Sequence, residues 1–213
     1  MATIFSDDFN RADADSLGGD WTERGADFDI VSNGVNIPNG GNGGGGYSTV
    51  YDSGHTYASA DYSVQAKTKL LTGGGGYLGV VGRRVNYSTD DSDGYFASIR
   101  PSSGRVRLFS RVSGVATSIA TTDAETINFD TFYTVKVDMN GTTIKEFIDG
   151  SEILSATSST LSAAGDGGLM LSVGDDDRYW DDFLSEDDGA GGAVLPERSY
   201  PRGASRGVVR GAA

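Results

Sequence analysis

Between Tyr62 and Leu70 every second residue falls on the same side of an extended chain. Tyr62, Val64, Ala66, Thr68 and Leu70 form one row, and Ser63, Gln65, Lys67 and Lys69 form the other. A period of two is that of a pleated strand with one face on a core and one in water. The stretch Thr134–Met139 alternates in the same way. It opens a unit, Asp130–Ser155, that reads as three strands joined at Asn140-Gly141 and Asp149-Gly150. Both dipeptides supply the positive φ angles of a type I′ hairpin turn, so the unit is predicted to be an antiparallel meander.

Shorter strand patterns fill the rest of the chain. They are Thr3–Phe9, Trp21–Glu23, Phe28–Val31 with Val35–Ile37 around Asn33-Gly34, Tyr47–Tyr51, Tyr77–Val81, Tyr95–Arg100, Arg105–Val112, Val115–Thr121, Gly168–Val173 and Tyr179–Leu184. Ser103-Gly104 and Ser113-Gly114 read as turns. Only Ala120–Asn128 has the composition for a helical turn. Roughly a dozen short strands at close spacing indicate an all-β, antiparallel β-sandwich. Asp7-Asp8-Phe9 is echoed by Asp181-Asp182-Phe183, and the first and last strands are predicted to be neighbours in one sheet.

Composition narrows the picture. The chain has 213 residues, with 32 Gly, 4 Pro and no Cys. The glycines cluster between strand patterns without a three-residue period, which points to turns. Without Cys there is no disulfide framework and no thiolate metal site. Met1 leads directly into Thr3-Ile4-Phe5 with no basic and apolar leader pattern, and no apolar run reaches about 18 residues, so no signal peptide or membrane span is expected. The net charge is −13. The segment Ala190–Ala213 holds four Arg and one Glu, 4 − 1 = +3, which leaves −16 on the remainder. An acidic body repels phosphate, so nucleic acid is not expected as a partner.

Several segments carry a family pattern. DDFNRADADSLGGDWTE, ADYSVQAKTK, GYFASIRPSSGRVRLFSRVSGVATSIA, YTVKVDMNGTTIKEFIDGSEIL and the late YWDDF occur in that order. Over about residues 3–185 the chain resembles concanavalin A-like lectin/glucanase domains of the laminin-G-like type. The resemblance implies a jelly-roll of two packed antiparallel sheets, residues 1–186, followed by an extended Gly/Arg-rich C-terminal arm, residues 187–213. It does not imply one activity, because the fold hosts lectins, glycosidases, adhesion modules and virion parts.

Glycosidases on this fold place two carboxylates on the concave face in a Glu-x-Asp-x-Glu pattern, and this chain has none. Glu146, Asp149 and Glu152 are spaced by three across a turn, and Asp175-Asp176-Asp177 reads as a solvated loop. No catalytic residue is assigned, and the expectation is a non-enzymatic protein. Aromatic side chains on a lectin-like face can stack on sugar rings. Tyr47, Tyr51, Tyr57, Tyr77, Tyr87, Tyr95 and Trp180 are candidates, with Tyr47, Tyr77 and Tyr95 selected, while Trp21 and Trp180 suit the core. Calcium takes several oxygen ligands. Asp8 and Asp182 could supply them if the terminal strands pair, and Asp90–Gly94 is a second acidic loop. The alternative for both is solvated acids at turns. His55, the single histidine, reads as a surface-loop residue beside Gly54.

The tail repeats Arg at every fourth position, Arg198, Arg202, Arg206 and Arg210, but Pro201 and several Gly oppose a helix. A basic arm of this kind suits an acidic neighbour, including another copy of the chain. Bare jelly rolls resembling this one occur in phage virions. The first reading is therefore a virion structural, decoration or fibre protein on the particle surface, anchored by its arm to other virion proteins. The second is an extracellular carbohydrate-binding module for surface adhesion that contacts a surface glycan.

Overall fold

The computed structural model describes residues 1–37, 47–71, 76–85, 93–172 and 178–187. Strands dominate these residues. The first eight are β1 (Ala2–Asp7), β2 (Trp21–Arg24), β3 (Asp29–Ile30), β4 (Val35–Asn36), β5 (Tyr47–Asp52), β6 (Tyr62–Leu70), β7 (Leu78–Val85) and β8 (Asp93–Arg100). The remainder are β9 (Arg105–Val112), β10 (Val115–Thr122), β11 (Tyr133–Asn140), β12 (Thr143–Ile148), β13 (Ser151–Thr157), β14 (Asp166–Ser172) and β15 (Arg178–Asp187). Among the described residues the one helical piece is a 3₁₀ turn, Pro101–Ser103, closed by Gly104 at φ 63°. Ala120–Asn128 is not helical. β10 runs on to Thr122, where its pairing with Val106 outcompetes a local turn, and the residues after it are irregular.

Two antiparallel sheets form the sandwich. One has eight strands in the order β13-β12-β11-β6-β15-β4-β3, with β1 also on β15. The other has seven, in the order β10-β9-β8-β7-β14-β5-β2. This is the antiparallel jelly-roll β-sandwich. Asp7 pairs with Phe183 and Ala2 with Asp187, so the first and last strands are neighbours as the repeated Asp-Asp-Phe predicts.

Period-two alternation places the core between the sheets. Tyr62, Val64, Ala66 and Leu70 of β6 face Leu78, Val80, Tyr95, Ala97, Leu169 and Leu171 of the other sheet in one apolar cluster. Trp180 is fully buried and its indole N–H donates to the Gly79 carbonyl at 3.1 Å, which ties β15 to β7 across the core. At the edge where the chain ends meet, Trp21 packs edge-on to Phe183 at 4.9 Å and to Phe5 at 5.4 Å. Its indole N–H donates to Asp7 Oδ2 at 2.8 Å, so the apolar body is buried and the polar tip satisfied.

The turns follow their glycines, with one difference. Asp149 (φ 49°) and Gly150 (φ 81°) are both left-handed, as a type I′ turn requires, and so are Ser113 (φ 49°) and Gly114 (φ 80°). The other turn of the meander is centred one residue later than the sequence predicts. Asn140 ends β11, the turn is Gly141-Thr142, and only Gly141 (φ 55°) is left-handed, the sign pattern of a type II′ turn. Asp61 helps select it, because its carboxylate accepts from the Gly141 amide at 2.7 Å.

The burial of one group is not foreseen by the sequence reading. Glu146 lies on the inward face of β12 between Ile144 and Ile148, is fully buried, and has no hydrogen-bond partner for either carboxylate oxygen. Burial raises its carboxyl well above the ordinary carboxylate range; the Ser98 amide pulls the other way from beyond hydrogen-bonding geometry. A raised folded-state value means that the unfolded chain gives up this proton first. Below the ordinary range near 4.5 only the cost of burying the neutral carboxyl remains, and the cost grows progressively as pH rises above it. Replacing it with an apolar side chain of similar length removes that cost. Glu146→Met is expected to stabilise the fold by about 1–3 kcal/mol at pH 7 and by less at pH 4, measured by urea unfolding of both proteins at the two pH values.

Candidate functional site

The outward face of the seven-stranded sheet carries the least ordinary chemistry of the described residues. On β9, Arg105, Arg107, Phe109 and Arg111 share one face, since Val106 and Leu108 point into the core. Cross-strand register places Phe96 beside Phe109, Ser98 beside Arg107 and Arg100 beside Arg105. The next strands continue the face with Val81 beside Phe96, Met170 beside Thr49, and Ser172 beside Tyr47. Val81, Phe96, Phe109 and Met170 form a second, smaller apolar cluster with Tyr47 packed against it. Phe96 and Phe109 stack at 4.8 Å with 11° between their planes.

Guanidinium groups lie over these rings. Arg107 sits 4.5 Å from the Phe109 centroid and 5.8 Å from that of Tyr77, and its Nη1 donates to the Tyr47 hydroxyl at 3.2 Å. Arg100 lies 5.5 Å from the Tyr77 centroid. Arg111 lies 5.4 Å from the Tyr47 centroid. Arg105 is held by the Asp123 carboxylate, Nη2 to Oδ2 at 2.8 Å. At the far end, Arg84 stacks 3.6 Å above Tyr51 and its Nε donates to Thr49 Oγ1 at 3.2 Å. A bulge in β7 makes that possible. Arg83 takes a left-handed φ of 47°, and the register slips against both neighbours of β7. Arg83 then turns inward, where it donates to the carbonyls of Ala60, Leu161 and Gly141, while Arg84 faces out.

Tyr47 and Tyr77 both stand on this face and are half-buried. Each follows a Gly-Gly-Gly-Gly run, and they flank the same residue: Tyr47 pairs with Ser172, and the Tyr77 amide donates to Ser172 Oγ at 2.8 Å. Tyr95 does not join them. It points between the sheets with no exposed surface, donates to Ser158 Oγ at 2.9 Å and accepts from the Leu161 amide at 3.1 Å. The aromatic pair Tyr95-Phe96 straddles the sheet, and the pleat sends Phe96 outward and Tyr95 inward. Tyr51 is buried beneath Arg84, Tyr57 and Trp180 are core residues, and Tyr87 lies outside the described residues. The arginines have a sequence signal, the period-two run Arg105-Arg107-Phe109-Arg111, but an overall charge of −13 conceals it.

Asp8 and Asp182 are brought to one place, an open recess of about 500 Å³ on the eight-stranded side, lined also by Ser6, Asp7, Gln65, Phe183 and Leu184. They are not assembled into a cation site. The Lys67 ammonium occupies the Asp182 carboxylate, Asp8 accepts from the Asn10 amide at 3.0 Å, and Asp7 is bound by Arg11 at 2.7 Å. Burial draws the Asp7 carboxyl upward, but the hydrogen bonds from Arg11, Trp21 and the Phe9 amide outweigh it and hold it below its ordinary value. Among the described residues no group of three or more acids or histidines is arranged to hold a metal ion. In the second acidic loop, residues 90–92 lie outside the described residues; Asp93 accepts from the Ser113 amide at 2.6 Å.

The other candidates separate. Glu146 is inside the sandwich, whereas Glu152 is exposed and paired with Lys145 at 2.8 Å, so the two cannot flank one substrate. His55 is not a free loop histidine. It stacks on Phe5 at 4.4 Å, and its Nδ1 lies 2.9 Å from Asp52 Oδ1. Arg198, Arg202, Arg206 and Arg210 lie outside the described residues.

No protein-family profile and no curated protein matches the chain. Solved structures do. Carbohydrate-binding module CBM66 from Bacillus subtilis superposes with a TM-score of 0.64 at 21% identity, over 80% of this chain and 98% of that one. SCLam, a non-specific endo-β-1,3(4)-glucanase of family GH16, gives 0.60 at 9% identity over 87% and 91%. The exoplasmic domain of VIP36, solved with Ca²⁺ and Man3GlcNAc bound, gives 0.58 at 13% identity over 82% and 86%. The chain thus has the concanavalin A-like lectin/glucanase fold.

The opposite placement of the tyrosines is measurable. Tyr95→Phe removes a hydroxyl that bonds two partners in the core and is expected to cost about 1–3 kcal/mol, whereas Tyr77→Phe is expected to stay within about 0.5 kcal/mol, both by thermal unfolding.

Proposed function

We propose that the chain is a carbohydrate-binding module whose binding surface is the outward face of the seven-stranded sheet, centred on Tyr47 and Tyr77. The observation that carries this reading is the pairing of half-buried tyrosines with guanidinium donors on one rigid sheet. An apolar ring face takes the C–H side of a sugar, and Arg N–H groups take its hydroxyls. Tyr47 is locked by packing on Phe96 and Phe109, so little of its order is lost on binding. Similarity in fold to a carbohydrate-binding module and to the VIP36 domain solved with Man3GlcNAc bound supports it.

Hydrolysis is the competing reading, supported by the likeness to glucanases. It needs two carboxylates about 5–10 Å apart across a sugar. Among the described residues, the outward positions of β5, β7, β8, β9 and β14 carry one acid, Asp166, at the end of β14 and in register with Arg84. That composition suits binding better than bond cleavage. The particle-decoration reading draws no support from the described residues or from the similar structures.

A glycan array followed by affinity electrophoresis with the best polysaccharide tests the proposal. Tyr47→Ala and Tyr77→Ala are each expected to weaken binding about tenfold or more, and Glu152→Ala, on the other sheet, to leave it unchanged. Binding that survives both tyrosine substitutions would place the site elsewhere. Release of reducing sugar from the bound polysaccharide would restore the hydrolase reading.

A further inference from the structure

Two arginines on this face, Arg100 and Arg107, carry charge that no acid among the described residues balances. Arg100 and Arg105 stand directly opposite each other on β8 and β9, and Arg107 is the next outward residue along. Like charges in cross-strand positions are destabilising. Asp123 neutralises Arg105. Arg100 and Arg107 form no ion pair with any described residue, and the Nε of Arg100 is buried with no hydrogen-bond partner. The ring of Tyr77 between them offsets part of the repulsion by cation–π attraction.

The distribution across the molecule sharpens the point. A chain of net charge −13 sets Arg24, Arg84, Arg100, Arg105, Arg107 and Arg111 on one sheet face, where Asp166 is the single acid in the described strand positions. Arg84 and Arg111 are buried and hold further partners, so they are not counted toward a ligand. Arg100 and Arg107 are half-buried at the edge of the Tyr47–Tyr77 surface. Two guanidinium forks that are partly desolvated and have no carboxylate partner among the described residues are suited to bidentate capture of a planar or tetrahedral anion.

We propose that the Arg100–Tyr77–Arg107 corner selects polysaccharides bearing anionic groups, carboxylate or sulfate, with the sugar ring on the tyrosines and the anion on the two arginines. This rests on the carbohydrate-binding reading and adds the class of glycan. The negative remainder of the molecule would repel a polyanion that approached elsewhere, so charge also orients the encounter.

The test uses the full chain and matched pairs of polymers. Polygalacturonate is compared with its methyl ester, and dextran sulfate with dextran, by affinity electrophoresis or calorimetry at about 0.05 M and about 0.5 M salt. The charged member of at least one pair is expected to bind about tenfold tighter at low salt, and which pair responds tells carboxylate from sulfate. Arg100→Gln/Arg107→Gln is expected to erase that preference, and Arg100→Lys/Arg107→Lys to retain part of it; if the glutamine pair does not fold, Arg100→Gln alone takes its place. A preference undiminished in the glutamine variant would assign the anion to other basic residues, such as those of the C-terminal segment, and overturn the proposal. Equal binding of charged and neutral polymers, lost in Tyr77→Ala, would overturn it while leaving the carbohydrate reading intact. Failure of all four polymers would overturn it too, with the glycan array then deciding the broader reading separately.

Discussion

A single buried carboxylate closes the sandwich at the edge where the chain ends meet. Asp52 is the last residue of β5, points inward, and has no exposed surface. Its Oδ1 accepts from the Gly54 and His55 amides, both at 3.1 Å, and faces His55 Nδ1. Its Oδ2 accepts from the Tyr57 hydroxyl at 3.2 Å, which also meets Ser185 Oγ at 3.0 Å. Through these bonds one acid holds the turn after β5, seats Tyr57 in the core and reaches β15 of the opposite sheet. Burial keeps the Tyr57 phenol protonated far above its ordinary range, so it remains a donor. A buried carboxyl group is tolerable in this position because donors surround it, a condition that Glu146 fails.

That contrast bears on how the two faces are used. The eight-stranded sheet shows water a mixed surface in which Lys67–Asp182, Lys69–Asp130 and Lys145–Glu152 cancel pair by pair. The seven-stranded sheet instead sets half-buried Tyr47 and Tyr77 among arginines, with Asp166 the single acid at its described outward strand positions. The fold is shared with binding modules and hydrolases alike, so function has to be argued from side chains and not from the architecture.

Much of the fold was legible because a pleat has a fixed period. The rows of β6, the meander and the pairing of Asp7 with Phe183 all follow from alternation and turn chemistry. What was not legible follows from events that break the period. The bulge at Arg83 turns consecutive arginines to opposite sides, and nothing local marks it. The Gly141-Thr142 turn is shifted by a bond to Asp61, eighty positions away in the chain. Tyr95 and Tyr77 are alike as residues, and only the phase of their strands, set by neighbours, buries one and presents the other. Asp8 and Asp182 do meet, as the paired ends imply, but a lysine from β6 reaches the place that a cation would take.

Among the described strands, the last in chain order is also one of the most central. β15 lies along β6 on one side and is shared by β4 and β1 on the other, and it carries Trp180 into the core. While the chain is still emerging from the ribosome, β1, β4 and β6 therefore have edges with no partner and an apolar face with nothing to seal it. Closure waits until β15 has been made, and its pairing of Ala2 with Asp187 joins segments far apart in sequence, which makes for slow folding. In that interval the exposed edges are open to pairing with other chains. A net charge of −13 opposes such pairing, because like-charged copies repel one another whether or not β15 is in place.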